Sequence, residues 1–142
     1  MAQTLTVRLP DEAAQEVRRI AQKERRSVSE IGARIVDEWI RQNRFVHIEF
    51  RSINGERVAC LKGRLEVWQA VMVAQGYEDV RQAAQHLDLR PDQLKSALDY
   101  ADAYPDEIAS AIADAHQGFD RLKFMLPELE SVSIASLEPK GA

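Results

Sequence analysis

The chain has 142 residues, a formal net charge of -4 and one cysteine, Cys60. A lone cysteine excludes an internal disulfide or a cysteine metal cluster. No apolar run approaches the roughly 18 residues of a membrane span, and the N-terminus lacks the apolar stretch of a secretory signal, so the expected location is cytoplasmic. The average charge conceals a gradient. Residues 1–44 carry nine Lys/Arg against seven Asp/Glu, residues 45–104 seven against nine, and residues 105–142 three against seven. A basic front suits phosphate, and an acidic rear suits something else.

Residues 3–9 alternate. Leu5, Val7 and Leu9 fall on one side, and Thr4, Thr6 and Arg8 on the other. This period of two predicts a half-buried strand. Pro10 ends it, and Asp11 is placed to cap a first helix over about 12–24, with Ala14, Val17, Ile20 and Ala21 inward. Arg25 and Arg26 lie at a break. Ser27 and Glu30 have the spacing of a capping box, which predicts a second helix over about 28–42 with Val28, Ile31, Ile35 and Trp39 on one stripe.

A second unit starts after Arg44. Residues 45–51 read as a strand, Asn54-Gly55 as a tight hairpin turn, and 57–61 as the return strand. Four short helices follow. The first, about 65–75, carries Leu65, Trp68, Val71 and Met72. The second, about 78–87, carries Val80, Ala83, Ala84 and Leu87. The third, about 91–103, carries Leu94, Ala97, Leu98 and Ala101. The fourth starts at Pro105, carries Ile108, Ala111, Ile112 and Ala115, and is expected to stop near Gly118. Beyond it, Phe119, Leu122, Met125, Leu126 and Leu129 have helical spacing, with Arg121 and Lys123 between them, before an end that reads as frayed.

The strand at 3–9 carries the main functional expectation. A lone strand must find a partner for its backbone groups, and no second strand lies within the first 44 residues. Pairing with its own copy in a second chain gives a two-stranded ribbon over four helices, with Thr4, Thr6 and Arg8 outward. Such a ribbon fits the DNA major groove, where arginine pairs with guanine. The alternative is an ordinary sheet shared with residues 45–61.

The run Thr4-Leu-Thr-Val-Arg-Leu-Pro10, a helix, then Arg26-Ser-Val-Ser-Glu-Ile31 and a second helix resembles the ribbon-helix-helix (Arc/MetJ/CopG) family over about 1–44. The resemblance implies a homodimer that reads double-stranded operator DNA through Thr4, Thr6 and Arg8. It implies that the second helix holds a DNA phosphate at Ser27, Val28 and Ser29, using free N–H groups and the positive dipole end. Many members have glycine at the position of Arg25, so the turn here either differs or places Arg25 in a left-handed conformation. Arg25 and Arg26 are candidates for backbone phosphate; the alternative is solvated turn residues.

The segment Lys62-Gly-Arg-Leu-Glu-Val-Trp68, then Gly76, then Leu94 to Ile108 resembles domain-of-unknown-function family 433 over roughly 53–110. Members look like antitoxins with small winged or helix-turn-helix-like domains. The family's Gly-Thr-Arg is Lys62-Gly63-Arg64 here, and its Ser-Pro start is Tyr77-Glu78-Asp79. Asp92, Asp99 and Asp102 on the third rear helix would repel phosphate, which favours dimerisation or partner docking over DNA contact.

Catalysis is not expected. His47, His86 and His116 lack the close spacing of a helical zinc motif, no nucleophile motif or glycine-rich phosphate loop is present, and carboxylates such as Asp99, Asp102 and Asp106 read as solvation. No catalytic residue, metal or cofactor is assigned. The tail stripe reads either as a cap on this chain's own core or as a partner-binding segment of Phe119, Arg121, Leu122, Lys123, Met125 and Leu126.

The expected architecture is therefore mainly α. A ribbon-helix-helix unit (1–44) with an intermolecular ribbon precedes a β-hairpin plus helix-turn-helix-like domain (45–117) and a tail (118–142). The expected function is a type II antitoxin that represses its own operator and neutralises a PIN-like ribonuclease toxin, the toxin class being implied by the second resemblance alone. The alternative is a stand-alone repressor whose rear domain oligomerises or senses a small ligand. No membrane partner is expected.

Overall fold

In a computed structural model of the chain, residues 2–126 are described. They form α1 (Asp11–Glu24), α2 (Val28–Arg44), β1 (Ile48–Ile53), β2 (Glu56–Leu61), α3 (Val67–Ala74), α4 (Val80–His86), α5 (Pro91–Ala103) and α6 (Pro105–Met125). The protein is thus mainly helical with one small antiparallel sheet. Leu129 and the rest of the predicted frayed end lie outside the described residues. No described helix is long and apolar enough to cross a membrane. The chain divides at Arg41/Gln42 into two compact units.

In the first unit, residues 2–10 carry no regular secondary structure in the single chain. Helix α1 begins at Asp11 itself, with Pro10 in the cap position and no side-chain cap bond, so the predicted Asp11 cap is corrected to Pro10. The fixed φ of proline suits a helix entry, and the Ala14 amide closes the first turn on the Pro10 carbonyl. Asp11 and Glu12 instead favour the positive end of the helix dipole from the first turn. Buried apolar side chains are few here: Ala21 and Ile31, on either side of the α1–α2 turn. Arg34 links the two helices, 2.9 Å from Glu24 and 3.5 Å from Glu38.

The second unit closes a core. Asn54 and Gly55 take φ values of 52° and 81°, the positive pair that a primed hairpin turn needs. The turn sets the register, from Ile53 opposite Glu56 to Ile48 opposite Leu61. The first strand therefore starts at Ile48, not at residue 45. Phe45 precedes it, buried edge-on against Tyr100 with ring centroids 5.4 Å apart. The sheet contains β1 and β2 alone, so among the described residues the segment 3–9 does not join it, and the shared-sheet alternative does not occur in the single chain.

Helix α3 starts at Val67, later than expected, because Glu66 and Gln69 cap it reciprocally and Leu65 is held back by a bond from the Leu61 amide to its carbonyl. Its buried face is Val67, Ala70, Val71 and Val73, whereas Leu65, Trp68 and Met72 are half-buried. Asp79 accepts from the Arg81 amide at 2.9 Å and so starts α4. Asp88, at φ 53°, ends it. Helix α5 matches the expected span and buries Leu94, Ala97 and Tyr100. Tyr100 is fully buried, and its hydroxyl donates to Glu107 at 2.5 Å.

Helix α6 does not stop near Gly118. It runs on to Met125, so the boundary expected at residue 118 falls inside a helix. An interior glycine costs about 1 kcal/mol relative to alanine but removes no hydrogen bond, and so weakens a helix without ending it.

Candidate nucleic-acid interface

The alternating segment precedes α1 as an exposed stretch without regular secondary structure. Thr4, Thr6 and Arg8 are exposed, but so are Leu5, Val7 and Leu9, at 81%, 70% and 48% of their full accessibility. The stripe on α2 is exposed as well. Of the four residues expected on one stripe, only Ile31 is buried; Val28, Ile35 and Trp39 are exposed at 50%, 42% and 64%. Val36 and Ile40 extend the same apolar arc, which the expected stripe had missed. Among the described residues, the segment and much of the apolar face of α2 are thus exposed.

The α1–α2 turn brings together five of the expected phosphate-contacting residues. Arg25 is left-handed, with φ 54° and ψ 44°. Its amide donates to the Gln22 carbonyl at 3.3 Å, and the Arg26 amide donates to the Ala21 carbonyl at 3.0 Å. Together these bonds form a Schellman motif, whose left-handed position glycine usually fills. The conformation of Arg25 therefore differs little from that expected of glycine, and its side chain is displayed at the turn.

The next residues start α2. Ser27 Oγ accepts from the Glu30 amide at 3.0 Å, one half of the expected capping box. The Glu30 carboxylate lies 3.5 Å from the Arg26 guanidinium. An α-helix has no internal partner for its first amides. With Glu30 capped and Ile31 bonded to the Ser27 carbonyl, the amides of Val28 and Ser29 remain as donors at the exposed start of a 17-residue helix. Arg25 and Arg26 flank that start. Such a grouping can take one phosphate oxygen by charge-assisted bonds.

Among its described residues, the rear unit offers phosphate no comparable surface. The exposed residues of α5 include Asp92, Asp99 and Asp102 beside Lys95, whose ammonium is spent on Asp99 at 2.8 Å. Arg90, and to a lesser degree His47, holds the Asp92 carboxyl below its usual range, so Asp92 is ionised. Arg64 donates to the carbonyls of Leu87 and Asp88, at 3.0 and 2.9 Å, and so tethers the Lys62-Gly63-Arg64 loop to the end of α4.

The histidines are dispersed. His47 meets Asp92 at 3.0 Å, His86 meets the Tyr77 hydroxyl at 2.9 Å, and His116 is exposed on α6. Among the described residues no three metal-ligating side chains converge. Cys60 is fully buried, and burial pushes its thiol up, away from the reactive thiolate.

The expected partner-binding residues sit at the end of α6. Phe119 is half-buried, whereas Arg121, Leu122, Lys123, Met125 and Leu126 are exposed. The alternative of a full cap on the chain's own core fails for all but Phe119 among the described residues. Phe124, at 88%, is the most exposed large apolar side chain of the segment and was not singled out by its spacing.

Comparison with family models, curated proteins and solved structures returns no match for this chain.

Proposed function

We propose that this protein is an antitoxin-type regulator. Its first unit pairs with a second copy, binds operator DNA through a shared ribbon, and represses its own operon. Its rear unit and the end of α6 engage and silence a PIN-like ribonuclease toxin.

The observation that carries the DNA-binding half is the pairing of two exposed faces in one 41-residue unit. The segment 3–9 and helix α2 expose eight large apolar side chains, Leu5, Val7, Leu9, Val28, Ile35, Val36, Trp39 and Ile40. A monomeric soluble unit does not ordinarily leave so much apolar surface to water. Antiparallel pairing of two such segments satisfies the strand amides and carbonyls and turns Leu5, Val7 and Leu9 onto the α2 faces. The same act lines Thr4, Thr6 and Arg8 along the outer face of the ribbon. In the major groove Arg8 can donate twice to one guanine, while the threonine hydroxyls serve either base type. Val28 and Ser29 amides, with Arg25 and Arg26, then fix the register on the phosphates.

The toxin half rests on the resemblance of the rear unit to an antitoxin-like family and on the exposed, cation-bearing end of α6. A metal-dependent ribonuclease gathers carboxylates about its metal, so an arginine delivered on an apolar helix suits such a site. The second reading, a stand-alone repressor with an oligomerising rear unit, is favoured by the apolar exposure at that same end.

The test is co-expression with the product of the neighbouring reading frame. The full chain should rescue growth and co-purify with that product. A chain ending at residue 117 should still shift operator DNA but fail to rescue. Rescue by the truncated chain would place the inhibitory surface elsewhere, and absence of any toxic neighbour would favour the stand-alone repressor.

A further inference from the structure

Helix α6 carries one apolar seam along its whole length. Ile108, Ile112, Ala115, Phe119, Leu122 and Leu126 follow one another at intervals of four, three, four, three and four residues. This is the heptad spacing that keeps a seam facing a partner helix. The first half is seated: Ile108 is buried and Ile112 packs on the rear core. From Phe119 onward the same seam leaves the core, and Leu122 and Leu126 are exposed at 50% and 55%. The 21-residue helix is about 31 Å long at 1.5 Å per residue, so its last turns extend well past the residues that hold its start.

We infer that the free end of this seam pairs in parallel with α6 of a second copy of the chain, as a short coiled coil. Area decides the occupant. Three seam side chains fall well short of the about 800 Å² per partner that a stand-alone specific complex buries. A separate protein would need further contacts, but a second copy already held at the front units arrives at an effective concentration of order millimolar. The inference therefore rests on the paired front unit proposed above.

Charge permits the parallel arrangement. The positions flanking the seam that face each other across such a coil are Gly118 with Lys123 and Ala111 with His116. Lys123 thus faces a neutral residue of the other helix rather than a like charge, and Gly118 lets the backbones approach. Asp120, Arg121 and Phe124 lie outside the contact. A toxin would accordingly meet Arg121, Lys123 and Phe124 on a two-helix stalk, with Phe119 and Leu122 covered.

Disulfide trapping in the full-length chain tests this. Leu122→Cys lies on the seam and Asp120→Cys lies off it; both positions are exposed, so both variants should fold. Wild-type Cys60 is buried and provides the background. Under mild oxidation at low micromolar protein, Leu122→Cys should cross-link to covalent dimer at least about tenfold faster than Asp120→Cys, as tethering predicts. Sedimentation of the reduced proteins runs alongside. Dimers with equal or absent cross-linking at the two positions overturn the seam and leave the front dimer standing. Monomers overturn both.

Discussion

The two units of this chain solve the same problem in opposite ways. The rear unit buries what it has: Tyr100, Ile48, Leu61, Leu94 and Val67 are almost wholly withdrawn from water, and a capped set of short helices and a hairpin closes around them. The front unit has a comparable supply of large apolar residues but leaves eight of them exposed and Val17 and Ile20 half-buried, burying only Ala21 and Ile31 among its described apolar residues. The difference is one of topology. A hairpin supplies its own second strand, whereas residues 2–10, without regular secondary structure, find no pairing partner among the described residues. On the reading proposed above, a second copy of the chain covers this exposed apolar pattern, and the polar side of that surface is where function is to be sought.

The largest expected effect lies in the self-sufficient unit. Tyr100→Ala removes a buried ring in edge contact with Phe45 and Phe50 and should cost about 3–5 kcal/mol. Denaturant unfolding at fixed protein concentration measures it. If the comparison holds, the loss should not vary with protein concentration.

In the front unit the dependence reverses. Trp39→Glu places a charge on a face that is 64% exposed in one chain but central to the proposed dimer, and should cost about 2–4 kcal/mol of association, the range of an interface hot spot. Sedimentation should show monomers at concentrations where the wild type is dimeric. Retention of the dimer would break the contrast between the units.

A smaller effect is expected at the ion network of α1 and α2. Arg34→Ala leaves the Glu24 and Glu38 carboxylates without the guanidinium between them, and should cost about 1–3 kcal/mol. Double-mutant cycles with Glu24→Ala should show coupling. The smallest effect has the opposite sign. Arg25→Gly relieves a left-handed non-glycine residue, worth about 1–2 kcal/mol, less the greater unfolded-state freedom of glycine. A net gain of a few tenths to 1 kcal/mol in thermal unfolding is expected, together with weaker DNA binding if Arg25 touches phosphate.

Much of this was legible in the chain. Asn54-Gly55, Pro91 and Pro105 locate their elements because each needs a local backbone geometry that few residues supply. Helix ends were less legible where side chains decide them. The Glu66–Gln69 caps shortened α3, and Gly118, read as a stop, is tolerated inside α6. Val28, Ile31, Ile35 and Trp39 do share one stripe of α2, yet periodicity reports only which residues share a face. It does not say whether the cover comes from the same chain. For the same reason Val36 and Ile40, off the narrow stripe, became visible only through their exposure. The Arg25 conformation was open between two outcomes, since a left-handed arginine has no sequence signature of its own.

Whether the front unit reads DNA as a dimer is decided by a salt titration of binding to duplex DNA from upstream of the gene. Fluorescence anisotropy of wild type and Arg8→Ala should be followed over a series of salt concentrations. Wild-type affinity should fall steeply and linearly in log–log form with salt, through counterion release. Arg8→Ala should lose about 1–3 kcal/mol, roughly 5- to 150-fold, on the specific duplex and much less on an unrelated one. Equal affinity of the two proteins for the specific duplex, or no binding by wild type even at low salt, would contradict DNA reading by the front unit.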